Sequence, residues 1–206
     1  MFMRKLILVG GPAGSGKSRF SEDLAESLGA VFLDKDTMSH AFSPKILSIL
    51  GQASTDRESD VYQDKVAPLE YATLEALAVD NISLRTTDVI CNAPFMEQFL
   101  DDAWLDRLEE IIKPFDAILV LVWMSTDADL AKTRLVSRNE ARDNWKLANW
   151  DAHNEVTGYN PPATSKPLHV IENKTDDALV LESQLSTFVK NLVRLDEAHE
   201  LIKSHA

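Results

Sequence analysis

Cysteine is all but missing from this chain: Cys91 is the single one in 206 residues. That excludes an internal disulfide framework and suits a reducing, cytosolic compartment. Cys91 itself lies in an apolar run and reads as a small core residue. The five histidines (His40, His153, His169, His199 and His205) share no ligand spacing, which argues against a zinc site. No stretch reaches the roughly 18 consecutive apolar residues of a membrane span. The apolar run after Arg4 and Lys5 breaks at Gly10-Gly11, too short for a secretory signal. Positive charge is scarce as well, with 21 Lys and Arg against 33 Asp and Glu, a net charge of −12. Nucleic-acid binding draws on basic surface, so such a partner is disfavoured. Repeats and low-complexity tracts are lacking too, and residues 1–206 are expected to form a single domain with a full core.

Against these absences stands one dense motif, Gly11-Pro12-Ala13-Gly14-Ser15-Gly16-Lys17-Ser18. It satisfies G-x-x-x-x-G-K-[ST] at every specified position. Leu6 to Val9 before it is a short apolar run, as expected of a buried parallel strand. Ser18 to Leu28 after it reads as a helix, with Phe20, Leu24 and Leu28 on one face and Gly29 as its stop. Glycines allow backbone N–H groups to point at phosphate oxygens, and the helix N-terminus adds partial positive charge. Lys17 can reach the terminal phosphates and the Ser18 hydroxyl can ligate Mg²⁺. The expected ligand is a nucleoside triphosphate with its metal.

Further along, apolar runs alternate with amphipathic stretches. Strands are expected at 30–33, 88–92, 118–124 and 168–171, and helices at 37–50 (broken by Pro44), 61–84 (with Pro68 near its start or kinking it), 99–112, 128–142 and 176–203. Val66, Leu69, Leu74, Leu77 and Ile82 mark the apolar positions of the second of these. Strands separated by helices imply a doubly wound α/β sheet, with ligands beyond the carboxyl ends of the strands. The glycine loop, Asp34, Asp36, Asn92 and the residues after Met124 all fall on that edge.

With GPAGSGKS, an Asp-x-Asp ending the second strand and an arginine-bearing helix after the fourth, the chain resembles small P-loop kinases of the nucleoside monophosphate kinase type. The resemblance is to the group of gluconate, shikimate and adenylylsulfate kinases and chloramphenicol phosphotransferase, and runs from Lys5 to about Asn173. Within it, Leu33 to Met38 and the stretch RNEARDNWKLANWD resemble a subgroup of ATP-binding proteins to which no substrate is attached. The resemblance implies a three-layer α/β/α sandwich, a five-stranded parallel sheet in the order 2-3-1-4-5 and a helical lid at about 138–160. It implies transfer of the γ-phosphate of Mg-ATP to a hydroxyl of a small molecule. A P-loop ATPase or nucleotide switch, or a polynucleotide-end kinase, is the alternative.

Asp34 and Asp36 are two apart and would share a side of an extended strand, with Lys35 opposite. A carboxylate there can accept the proton of an attacking hydroxyl or hold a water of the Mg²⁺ shell. The resemblance assigns Asp36 the catalytic role and Asp34 an orienting or metal-associated one; helix capping is the plainer reading. Arg134, Arg138 and Arg142 stack on one helix face at i, i+4, i+8. By resemblance, Arg134 would stack on adenine and Arg138 or Arg142 would contact phosphate; a solvated charged face is the alternative. Asn173 resembles the position that meets the adenine edge, or else belongs to a turn. Trp145 and Trp150 either close over substrate or anchor the lid, and anchoring is the simpler expectation. Asn92 stands where P-loop ATPases usually carry a metal-linked Asp, which disfavours hydrolysis machines. The acceptor pocket is expected from residues 37–60 and 93–100.

Overall fold

The computed structural model describes residues 3–84 and 86–204, with side chains as far as Leu195. In chain order the elements are β1 (Arg4–Gly10), α1 (Lys17–Leu28), β2 (Val31–Asp34), α2 (Lys35–Ser39), α3 (Ser43–Ile49), α4 (Asp60–Lys65) and α5 (Ala67–Leu84). They continue as β3 (Val89–Asn92), α6 (Asp102–Ile112), β4 (Ala117–Ser125), α7 (Ala128–Arg138), α8 (Asn144–Ala148), α9 (Trp150–Val156), β5 (Leu168–Glu172) and α10 (Ala178–Ser204). The five strands form an all-parallel sheet in the order β2-β3-β1-β4-β5, as the resemblance implies.

Strand alternation sorts the core into two layers. Leu6, Leu8, Val89, Cys91, Leu121 and Trp123 face α5 and α6. Ile7, Val9, Ile90, Val120, Val122 and Met124 face α1 and α10. Both faces of the sheet are covered, which is why its strands read as continuous apolar runs. Cys91 is fully buried, and burial pushes its thiol up. No helix among the described residues is long and apolar enough to cross a membrane.

Four expectations about helices need correction. Residues 61–84 form two helices, α4 and α5, parted at Val66, rather than one. Residues 37–50 form two short helices, and Pro44 sits in the first turn of α3, where its missing N–H costs nothing. The buried stripe of α5 is Ala67, Glu70, Leu74, Ala78 and Ile82, while Leu69 and Leu77 are exposed. The helix read at 128–142 stops at Arg138, where Asn139 takes the left-handed conformation (φ 51°) and caps it. Of the histidines, His205 lies outside the described residues, as does the side chain of His199. Among those described, no group of three His, Cys, Asp or Glu side chains could hold a metal ion.

Candidate active site

The phosphate-type loop runs from Gly11 into α1, and two of its glycines are required by their surroundings. A Cβ on Gly14 (φ 78°) would lie 2.7 Å from the Ala131 carbonyl of α7, and one on Gly16 (φ 87°) would collide with the Asn173 amide. The loop is braced from behind. Asn173 Nδ2 donates to the Ser15 carbonyl at 2.9 Å. Arg134 donates to the carbonyls of Gly14 (3.3 Å), Asn173 (3.2 Å) and Thr175 (2.8 Å), to Asn173 Oδ1 (3.2 Å) and to Asp176 (3.2 Å). Both residues named for the adenine end therefore hold the loop against the turn after β5. Ala13 packs on the lid cluster of Ala131, Leu135 and Trp150, so the lid root and the loop share one small core.

Lys17 is half-buried and its ammonium donates to the Pro12 carbonyl at 2.8 Å. Burial, outweighing the attraction of Asp36 and Asp34, lowers its pKa to about 7, and Arg138 and Lys146 push the same way. The free protein therefore carries a mostly neutral Lys17 above that pH, and an arriving triphosphate should recharge it. Nucleotide binding at pH 8 to 8.5 is expected to take up a proton, approaching one per site, with uptake fading below pH 6. Calorimetry in buffers of different ionisation enthalpy measures this directly; uptake that persists in Lys17→Met would assign the proton elsewhere.

Parallel register sets Asp34 of β2 beside Asn92 of β3 at the carboxyl edge of the sheet. Asn92 Nδ2 donates to Asp34 Oδ2 at 2.6 Å and to Ser18 Oγ at 3.2 Å, while Asn92 Oδ1 is buried without a partner. Asp34 also caps α2, its Oδ1 accepting from Thr37 N at 2.7 Å. Capping and facing the cleft are thus not alternatives for Asp34. A metal at this edge would meet the Ser18 hydroxyl and the carboxylates of Asp34 and Asp36, all hard oxygen donors that line the cleft. Such a set fits Mg²⁺ as a minority of its ligands, with phosphate and water supplying the rest.

Asp36 lies in the first turn of α2 rather than on an extended strand, because β2 ends at Asp34. Its carboxylate is ion-paired with Arg142 and stands 3.6 Å from Lys35 Nζ. Burial raises its pKa, but Lys35, Arg142, Lys17 and Arg57 outweigh that and hold the group below the usual carboxylate range. Lys35 is buried and ion-paired with Glu70, which is fully buried. Ser43 Oγ donates to Glu70 at 2.6 Å and Tyr62 OH at 2.8 Å, so one carboxylate ties α3 and α4 to the Lys35 ammonium at the start of α2. Sequence reading missed this network. Its signal was a glutamate at a core position of the α5 stripe, one turn ahead of Leu74.

The three arginines do not share a face. Arg134 and Arg138 belong to α7, and the turn at Asn139 carries Arg142 across to Asp36. Arg138 donates twice to the buried Asp143, at 2.6 and 2.8 Å, which sets the bend into α8. Lys146 of α8 reaches Glu58 at 2.9 Å, a second tie across the cleft. Trp150 anchors the lid by burial, whereas Trp145 remains exposed. The resulting cleft, of about 580 Å³, is lined by Ser18, Glu22, Phe32, Asp34, Asp36, Thr37, His40, Pro44, Arg57, Glu140 and Arg142. The expected pocket segment 37–60 contributes to it; 93–100 does not.

The AAA domain family matches residues 6–158. Among solved structures, a protein from Chloroflexus aurantiacus proposed to be a kinase is similar at a TM-score of 0.65 and 19% identity, over 91% of this chain and 98% of that one. A gluconokinase from Sinorhizobium meliloti is similar at 0.59 and 20% identity, over 98% of both chains. Kti12 from Chaetomium thermophilum, in complex with ADP-AlF3, is similar at 0.56 and 16% identity, over 90% of this chain and 97% of that one. No curated protein matches the sequence.

Proposed function

We infer the reaction from two premises: the chain belongs to the AAA domain family, and its loop, its strand-edge acids and its lid arginine meet in one cleft. The reading they support is transfer of the γ-phosphoryl group of Mg-ATP to a hydroxyl of a small molecule. One observation carries it. Asp36, ionised by its cationic neighbours, shares the cleft with Ser18 of the phosphate loop and is gripped by a lid arginine.

Backbone N–H groups at the start of α1 and the Lys17 ammonium would hold the phosphates. Mg²⁺, when bound through the Ser18 hydroxyl and water on Asp34, would neutralise charge on the β- and γ-phosphates. Asp36 would accept a hydrogen bond from the acceptor hydroxyl and align it. As the new oxygen–phosphorus bond forms, the bond from the γ-phosphorus to the bridging oxygen breaks, ADP leaves with the electron pair, and the hydroxyl proton passes to Asp36. A carboxyl held below the usual carboxylate range is a weak base, which suits a loose transition state where the proton moves late. Arg142 already sits over Asp36 and is placed to meet charge on the transferring group. Asn92 supplies no charge, so the arrangement favours a kinase over a hydrolytic switch.

The reading is tested with ATP labelled in its γ-phosphate and pooled hydroxyl compounds. Label should enter acid-stable organic phosphate, dependent on Mg²⁺. Label recovered entirely as inorganic phosphate would replace the kinase with an ATPase.

A further inference from the structure

Among the described residues, two ion pairs tie the lid to the opposite wall of the cleft. Arg142, beyond the turn at Asn139, pairs with Asp36 of α2. Lys146 of α8 pairs with Glu58, in the loop before α4, at 2.9 Å. Both anchors are held in place. Asp56 Oδ1 accepts from the N–H groups of Glu58 and Ser59, both at 3.0 Å, and Ser59 Oγ caps α4 through the Tyr62 N–H at 3.2 Å. Asp36 occupies the first turn of α2, beside the Lys35 that Glu70 holds. On the lid side, Arg138 donates twice to Asp143, which fixes the chain between Arg142 and Lys146. The lid so held stands near the phosphate loop, for Arg138 and Lys146 are close enough to Lys17 to oppose its charge.

The two ties are unequal, and the difference sets their roles. The Lys146 and Glu58 side chains are 16% and 25% exposed, so water screens their attraction poorly. Arg142 and Asp36 are 34% and 48% exposed, and a pair so open to water is weak by itself. Arg142 reaches Asp36 through a single nitrogen. Its Nε is buried with no hydrogen bond, the nearest carboxylate there being Glu140 at 3.9 Å. A triphosphate offers a guanidinium the bidentate, charge-assisted bonding that this contact does not supply. Arg142 is therefore the tie that phosphate can take over. Lys146–Glu58 is the tie that holds the lid until it does.

We propose that Lys146–Glu58 and Arg142–Asp36 form a latch that keeps the lid across the cleft by the protein's own charges, and that the latch must break for nucleotide to enter. The lid is thus self-closing, and phosphate exchanges one closed arrangement for another. While the latch holds, Arg142 also covers the carboxylate that would receive the acceptor's proton, so Asp36 is released only as Arg142 passes to phosphate. The proposal rests on the Mg-ATP site of the kinase reading and is independent of the acceptor's identity.

The test uses the whole protein and a fluorescent N-methylanthraniloyl derivative of ATP with Mg²⁺. Stopped flow measures its association rate, and hydrogen exchange across residues 138–155 is measured without nucleotide. Glu58→Gln and Lys146→Met should each raise both rates by roughly threefold to tenfold, the range a partly screened ion pair supports. The double variant Glu58→Lys with Lys146→Glu rebuilds the pair in reverse and should return both to near the wild-type values. Simple steering of an anion predicts something else. Glu58→Gln would then hasten arrival and Lys146→Met would slow it. Opposite signs for the two variants, or lid exchange unchanged in either, would overturn the proposal. A wild-type protein that fails to bind the ATP derivative would instead sink the nucleotide reading, while exchange in its absence still judges the latch. Thermal melting checks that each variant folds.

Discussion

Asp36→Asn is expected to bind Mg-ATP normally and to lose phosphoryl transfer by roughly a hundredfold to ten-thousandfold. The amide keeps the size of the side chain but cannot take the hydroxyl proton. It also cannot balance Lys35 and Arg142, so two changes should accompany the lost rate. Arg142 should be released from its ion pair, loosening the lid, and the acid limb of activity, set in the wild type below the ordinary carboxylate range by Asp36, should disappear with it. Label transfer measured across pH and hydrogen exchange across 138–155 measure the three effects, and nucleotide calorimetry checks that ATP binding is intact. A variant that transfers phosphate at the wild-type rate, with ATP affinity intact, would reduce Asp36 to a contact for the lid.

The second large effect is on stability. Lys35→Met removes the cation from a fully buried glutamate and should cost about 3–5 kcal/mol, because an uncompensated charge is left inside. Lys35 and Glu70 are both almost inaccessible, so water cannot rescue the orphan. Adding Glu70→Gln should recover much of the loss, since the amide still offers an oxygen and donors to Ser43 and Tyr62. Denaturant unfolding of the two single variants and the double variant measures the coupling. Additive losses would mean that the pair contributes nothing as a pair. Lys35→Met should also raise the pKa of Asp36, since Lys35 heads the charges that depress it.

Much of this protein could be read along one strand of text because its determinants are local. Strand, glycine loop and helix follow one another within Arg4–Leu28, and each needs only its own residues: branched and aliphatic side chains, positive-φ glycines, a helix stop at Gly29. Burial of both sheet faces made the strands legible as unbroken apolar runs, and their alternation with helices implied the parallel order. Asp34, Asp36, Lys17 and Ser18 could be named as candidates because they lie close to those strand ends.

What escaped that reading depended on where helices stop and on what lies across a gap in sequence. The arginine stack at 134, 138 and 142 assumed a continuous helix. One left-handed residue, Asn139, ended it and sent Arg142 over the cleft to Asp36, 106 positions away. Asp36 was placed on a strand, although a cap at Asp34 had already started a helix. Asn173 and Arg134 turned inward as braces because the loop's back face, bare at Gly14 and Gly16, needed polar partners that only β5 and α7 could bring. Glu70 had no sequence neighbour to explain it; its partner Lys35 is 35 residues distant and reaches it only when α5 packs on β2 and α2. Local chemistry decided that this chain would grip phosphate, and the folding of remote segments onto that grip decided which charges stand beside it, Arg142 and Lys35 at Asp36 among them.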